Sequence, residues 1–303
     1  MRRILKKVAA VTMALVIGMA VLPISPLNKP VEAKAAEITI AGGTYTYSVK
    51  EDNTIEIVGW EGTDTKITIP STIDGMSVTS IGSDAFYGCS SLTDITIPEG
   101  VTSIDRYAFG GCSGLTSITI PEGVISIGNS AFAKCRGLTT VTMPRSLEII
   151  EHSAFYGCSS LTSITIPEGI TSEYIKYAFG ECKSLIDINV SNNNQKYASV
   201  SGVLFSKDCT ELIRCPEGKI GAYVIPEGVT RIGDNAFSNC TGLTDITIPK
   251  GVKNIENAAF TGCSGLTSIT IPESVTSMEK FSPSTFVGCS SLISINVSAN
   301  NPK

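Results

Sequence analysis

Over most of its length the chain repeats one arrangement of apolar and polar positions. From Leu115 to Pro121 it reads LTSITIP, with Leu115, Ile118 and Ile120 apolar and Ser117 and Thr119 polar between them. Alternation of this kind, rich in β-branched residues, predicts a short strand with one buried face. Pro121 ends the strand because proline has no N–H to donate to a ladder. Pro121-Glu122-Gly123 predicts a tight turn, with proline's φ preset and glycine closing. VISIG, Val124 to Gly128, is a second short extended piece. AFAKC, Ala131 to Cys135, sets a small alanine beside a bulky phenylalanine and suits a turn of 3-10 or α-helix.

The arrangement recurs at a fixed step. Ala85, Ala108, Ala131 and Ala154 are 23 residues apart; Ala178 follows after 24, and Ala236 and Ala259 are again 23 apart. Thr285 takes the alanine position of the last copy, after a step of 26. A period of this length marks a solenoid. One coil cannot bury its own apolar side, but stacked coils can, and equivalent residues then form ladders about 4.8 Å apart. Phe86, Phe109, Phe132, Phe155, Phe179, Phe237, Phe260 and Phe286 form such a ladder and account for eight of the 10 phenylalanines. A phenylalanine stripe at repeat spacing is core.

Three stretches break the pattern. Residues 36–62 alternate like strands around turns at AGG and EDN and do not repeat. They are expected to cap the first coil, with Trp60 packing over that end. Residues 191–224 form an island in which SGVLFS, KDCT and ELIRC read as strand, turn and strand. Insertions of this kind collect on one face, often a functional one; a spacer within the stack is the other reading. At the end, INVSANNPK from Ile295 starts as INVSNNNQKY does where it leads into the island from Ile188. The expectation is a product truncated at its C-terminus, set against a true terminus with a frayed tail.

The strand L-x-x-I-x-I-P, the turn A-F-x-x-C and the return I-P-E-G-V-T-S-I resemble the BspA-like leucine-rich repeat, a variant of about 23 residues from bacterial and protist surface proteins. The resemblance covers residues 63–303 apart from the island, so leucine-rich repeats are expected over 63–190 and 225–303. It implies a leucine-rich repeat solenoid: a curved stack of coils with a parallel β-sheet on the concave face, short 3-10, turn and extended segments on the other side, and a β-rich N-terminal cap. It also implies a class of cell-surface adhesion and interaction proteins.

The first residues read as a leader. Arg2, Arg3, Lys6 and Lys7 precede an apolar run from Val8 to about Leu22, and Ala33-Lys34-Ala35 offers a small-x-small cleavage pattern. Residues 1–35 are expected to be a secretory signal peptide; the alternative, a retained membrane anchor, has a run short for a span. No membrane span is expected after cleavage. The whole chain carries a formal net charge of −5, and loss of residues 1–35 leaves 17 basic against 27 acidic residues. An acidic exported protein of this kind is not expected to bind nucleic acid.

Candidate chemistry is sparse. The one histidine, His152, stands in a position held elsewhere by Ser83, Arg106, Asn129 and Asp234, which reads as variable and solvated. No nucleophile and acid at repeat spacing accompany it, and Glu148 and Glu151 fit surface positions. Eight of the 10 cysteines mark one slot of the repeat, from Cys89 to Cys289, between Phe and Leu core positions. Export permits disulfides, but a straight row offers no unique pairing and cannot wrap four sulfurs around zinc. Buried free thiols are the favoured reading; Cys209 and Cys215 of the island are the better disulfide candidates, although they share one hairpin.

On the concave face implied by the resemblance, one row is expected to hold Thr96, Thr119, Thr142, Thr165, Asn189, Thr247, Thr270 and Asn296. Its neighbour is expected to hold Asp94, Ser117, Thr140, Ser163, Asp187, Asp245, Ser268 and Ser294. These rows are the expected binding surface. They lack the aromatic and arginine anchors of tight interfaces. The resulting expectation is a secreted or cell-surface, non-catalytic leucine-rich repeat protein with no cofactor or metal. It would bind a protein or glycan of a host or neighbouring cell. A structural stalk of a longer surface protein is the alternative, and an extracellular hydrolase the least supported.

Overall fold

The computed structural model describes residues 35–40, 42–278 and 283–298. The chain divides into two units, Met1–Glu32 and Ala33–Lys303. Apart from Ala35, the expected leader lies outside the described residues.

The second unit is a β-solenoid of about ten coils built from stacked parallel strands. Each LTSITIP segment supplies a strand of a threonine-bearing sheet. Thr140, Val141 and Thr142 lie opposite Ser117, Ile118 and Thr119 of the preceding coil. Each VTSI segment supplies a two-residue return strand, with Ser126 and Ile127 opposite Ser103 and Ile104. These pairings are in register with the repeat, so Ile127 meets Ile104 and Ile150, and Ile118 meets Val141.

The third side of the coil differs from the helical turn the sequence suggests. Ala131 to Cys135 forms consecutive turns, because Ser130 (φ 57°) and Lys134 (φ 61°) both take the left-handed conformation and stop a helix from propagating. The turn instead bonds to the next coil at every second residue. Ser130, Phe132 and Lys134 donate their N–H groups to the carbonyls of His152 (3.0 Å), Ala154 (2.8 Å) and Tyr156 (2.6 Å). Among the described residues, 3-10 helix occurs at Glu173–Tyr177 and Pro283–Phe286, in the two coils that carry inserted residues.

The phenylalanine ladder fills the interior. Phe86, Phe109, Phe132, Phe155 and Phe179 stack with ring centroids 5.1, 5.1, 5.3 and 5.7 Å apart. Trp60 (6.2 Å) and Tyr45 (6.5 Å, edge-on) cover Phe86, the open end of the stack. A second stack runs Phe237, Phe260 and Phe286, with Tyr223 edge-on to Phe237 at 5.9 Å. The apolar core is accordingly two clusters. At the start of the second, Cys215 stands where a ladder phenylalanine is due: its N–H donates to Ala236 (2.7 Å), as the Phe155 N–H does to Ala178 (2.9 Å).

Each stack opens with the same antiparallel arrangement. Ala36–Ile40, Gly43–Val49 and Ile55–Gly62 form a meander whose last strand runs parallel to Met76–Ile81. Tyr197–Val200, Val203–Ser206 and Glu211–Arg214 form another, whose last strand runs parallel to Arg231–Ile232. The turns match as well. Asp52 Oδ1 accepts the Thr54 N–H (3.0 Å) and hydroxyl (2.6 Å); Asp208 Oδ1 accepts those of Thr210 (3.1 and 2.9 Å). Asn53 (φ 60°) and Cys209 (φ 56°) fill the left-handed position between each pair. These bonds, with one from Ser206 to Asp208, hold both carboxyls below their ordinary range. The hairpin read from sequence is present, with Tyr197–Val200 as an additional strand.

All ten cysteines are free, the Cys209–Cys215 pair included. Their thiols tie the coils together. Cys112, Cys135, Cys158 and Cys182 donate to the carbonyls of Phe86, Phe109, Phe132 and Phe155, each at 3.1–3.2 Å. Cys263 and Cys289 repeat the contact with Phe237 and Phe260. Serine would keep a donor at this position but lose the apolar volume of sulfur between Phe and Leu. Burial pushes the Cys135 and Cys182 thiols up to about 12.

Two outcomes are expected. Phe132→Ala, in the middle of the first stack, should lower unfolding free energy by about 3–5 kcal/mol, read as the denaturation midpoint, whereas truncating half-buried Phe286 should cost less. Thiol labelling of the native protein should begin at the half-buried Cys89, Cys209 and Cys289, with the seven buried cysteines reacting only on unfolding. A change in alkylated mass on adding reductant would instead reveal a disulfide.

Candidate binding faces

The threonine-bearing sheet places every residue of the two expected rows on a strand with its side chain outward. Asp94, Thr96, Ser117, Thr119, Thr140, Thr142, Ser163 and Thr165 are exposed, as are Asn189, Asp245, Thr247 and Thr270; Asp187 and Ser268 are half-buried. Strand register brings the rows together across coils: Ser163 faces Asp187 and Thr165 faces Asn189, while Asp245 faces Ser268. Thr68 extends the first row by pairing with Thr96, one position that the repeat pattern did not assign.

The rows are not continuous. Beyond Asp187–Val190 the next position on this side is filled by the tip of the second meander. Ile188 donates to the Gly202 carbonyl at 2.8 Å, and Gly202 packs directly on the Asp187 carboxylate. The sheet resumes at Ile220–Val224, a strand inside the span read as an island. There Ala222 and Val224 lie opposite Asp245 and Thr247. The face is therefore two polar runs, the second starting with an exposed valine.

A buried ion pair locks the junction. Arg214 Nη2 meets Glu217 Oε1 at 2.6 Å, with the side chains 6% and 2% exposed. Arg214 also donates to the Asn235 carbonyl (2.8 Å), and Glu217 accepts the Glu181 N–H (3.1 Å). The pair thus links a turn of the first stack to a turn of the second. Burial pushes the Glu217 carboxyl up, against the pull of Arg214. His152 is less solvated than its position suggested. It is half-buried, with its ring 4.5 Å from Tyr174 and 4.8 Å from Tyr177.

The anchors missing from the threonine rows stand on the turn side of the coils, where Tyr87, Arg106, Tyr107, Lys134 and Tyr156 line one trough. A sequence signal for them existed. FYGCSSLT occurs twice, from Phe86 and from Phe155, while Gly110 and Ala133 hold the tyrosine position in the two coils between.

Stacked coils of about 23 residues, with a parallel sheet on one side and ladders of Leu, Ile and Phe inside, define a leucine-rich repeat solenoid. The BspA type leucine rich repeat region matches residues 65–210 and 217–303 in six copies, and the chain belongs to that family. Proteins of the family are typically surface proteins. Among solved structures, the pneumococcal vaccine antigen PcpA superposes with a TM-score of 0.61 over 88% of this chain and 82% of its own. At 23% identity, that is a likeness of fold. A leucine-rich repeat protein of Eubacterium ventriosum is 26% identical, with a TM-score of 0.57 over 87% of this chain and 73% of its own. The T. pallidum leucine-rich repeat protein TpLRR is also 26% identical, with a TM-score of 0.50 over 73% and 87%. No curated protein sequence matches this chain. Among the described residues, no helix is long and apolar enough to cross a membrane.

Removing one member of the junction pair strands a buried charge. Glu217→Ala is expected to destabilise the protein by about 3–5 kcal/mol, measured by chemical denaturation. The double change Arg214→Met with Glu217→Leu should cost clearly less, because no charge is then left unpaired.

Proposed function

We propose that this is a secreted or surface-displayed, non-catalytic interaction protein. It binds a protein or glycan of a host or neighbouring cell through the threonine-bearing sheet. The observation that carries this reading is the registered array itself: short, exposed hydroxyl, amide and carboxylate side chains repeated coil after coil on stacked parallel strands. Such a face offers many weak contacts whose sum depends on matching the repeat. It suits an extended partner better than a compact ligand, because among its members none is large enough to wall a pocket. Family membership supports the surface setting, and the acidic balance of the chain beyond the expected leader fits an exported protein.

Thr119→Arg with Thr142→Arg places two bulky charges on adjacent coils in the middle of the first run. Both positions are exposed, so folding should survive. Saturable binding of the purified protein to cell-surface or matrix preparations should fall by at least about tenfold, a loss of roughly 1.4 kcal/mol. Binding that is specific and unaffected by the double change would overturn the assignment to this face. The absence of any binding would favour a stalk.

A further inference from the structure

On the turn side, one variable position follows each ladder phenylalanine. In five successive coils it is Tyr87, Gly110, Ala133, Tyr156 and Gly180. The glycines give the tyrosine rings room. A Cβ on Gly110 would lie 3.0 Å from the Tyr87 ring and 3.1 Å from that of Tyr107, and a Cβ on Gly180 would lie 3.1 Å from the Tyr156 ring. Each tyrosine is therefore seated across the following coil. Ala133, only 6% exposed, leaves the coil before Tyr156 flat. The result is a trough of about 790 Å³ walled by Tyr87 and Tyr107 at one end and Tyr156 at the other. With coils about 4.8 Å apart, the walls at Tyr87 and Tyr156 stand roughly 14 Å apart along the stack.

The walls pack on neighbouring groups and keep exposed surface. Tyr87 packs edge-on to Tyr107 at 5.9 Å, which fixes both rings, and Arg106 lies 5.0 Å over the Tyr107 ring. Tyr87 is still 59% exposed and Tyr156 39%. Ser83, Ser130 and Ser153 line the space between with short hydroxyls or backbone. The charged lining residues are Arg106 and Lys134 against a single acid, Asp84. Next to them, Arg136 and Lys183 line an adjoining groove with Glu181, which is paired with Lys183 at 3.2 Å. A bond from Ser130, with the charges of Arg106 and Lys134, holds the Tyr107 hydroxyl below its ordinary range. A locally basic trough on a chain of net charge −5 selects for negative charge.

We propose that this trough binds an acidic oligosaccharide, a short run of sugar rings bearing carboxylate or sulfate groups. Exposed tyrosine faces offer the flat, weakly negative surfaces on which the C–H faces of sugar rings pack. Arg106 presents a planar fork of donors to a carboxylate or sulfate, and Lys134 a compact charge. Exposed Ser83 and half-buried Ser153 are sized for ring hydroxyls, while the buried Ser130 hydroxyl is bonded to Asn129. An acidic peptide is disfavoured because the trough offers no deep apolar pocket for side chains and no free strand edge. The site lies on other residues than the threonine rows and stands or falls apart from them.

The test is calorimetric titration of the purified protein with a heparin-derived oligosaccharide and with an oligogalacturonate. A neutral maltooligosaccharide and an oligoglutamate peptide of similar length are the comparisons. Binding of at least one acidic sugar is expected, weakened by salt and absent for the neutral sugar. Tyr156→Ala, and separately Arg106→Gln with Lys134→Gln, should each weaken it by about tenfold or more. Both changes are at exposed side chains and should leave the thermal midpoint unchanged; Thr119→Arg on the other face should leave the affinity unchanged. The proposal is overturned if neither acidic sugar binds, if Tyr156→Ala binds as tightly as the parent, or if oligoglutamate competes equally well. Loss of sugar binding in Thr119→Arg would also overturn it, by moving the site to the threonine rows.

Discussion

A single coil of this protein has no interior. Its phenylalanine, leucine and isoleucine side chains are buried only because the next coil covers them, and almost every other feature follows from that dependence. The ladder Phe86 to Phe179 works because each ring meets an identical ring at nearly the same separation. The backbone obeys the same rule on the turn side, where alternate N–H groups cross to the following coil. The repeated cysteine belongs to this system. Its thiol reaches the carbonyl of the phenylalanine one coil back, a task that needs a weak donor on an apolar atom.

Such a stack is vulnerable at its ends and at any break. The chain meets both problems with one device. A three-stranded meander with an Asp-x-Thr turn precedes each run of coils, and its last strand starts the parallel return sheet. Aromatic rings then close the exposed end of the ladder: Trp60 and Tyr45 over Phe86, and Tyr223 against Phe237. Where the two runs meet, the buried Arg214–Glu217 pair takes the place of apolar packing. A buried pair contributes little net stability compared with well-packed apolar groups. What it does supply is direction, since it has partners in one turn of each stack.

The sides of the coil carry different chemistry because they tolerate different side chains. Strand positions on the threonine sheet are crowded by their counterparts one coil away, which favours short branched residues. The turn side has room where Gly110 and Gly180 follow in the next coil, and there the chain places Tyr87 and Tyr156. Large side chains and short repeated ones thus stand on different sides of the coil.

The period, the inward residues and the strand positions were legible in the sequence because burial selects residue type locally, and a 23-residue step repeats that selection many times. The hairpin at KDCT and the covering role of Trp60 were legible for similar reasons of turn chemistry and size. The sequence by itself determined a solenoid, its register and most members of each row. Only the tertiary structure decided that the rows stop at Gly202, that Ile220–Val224 rejoins the sheet, that the turns bond across coils, and that Tyr87 and Tyr156 enclose a trough. The reason is physical. A ladder sets what lies directly above and below a residue, whereas a trough or a break depends on residues several coils apart, whose separation no local pattern records.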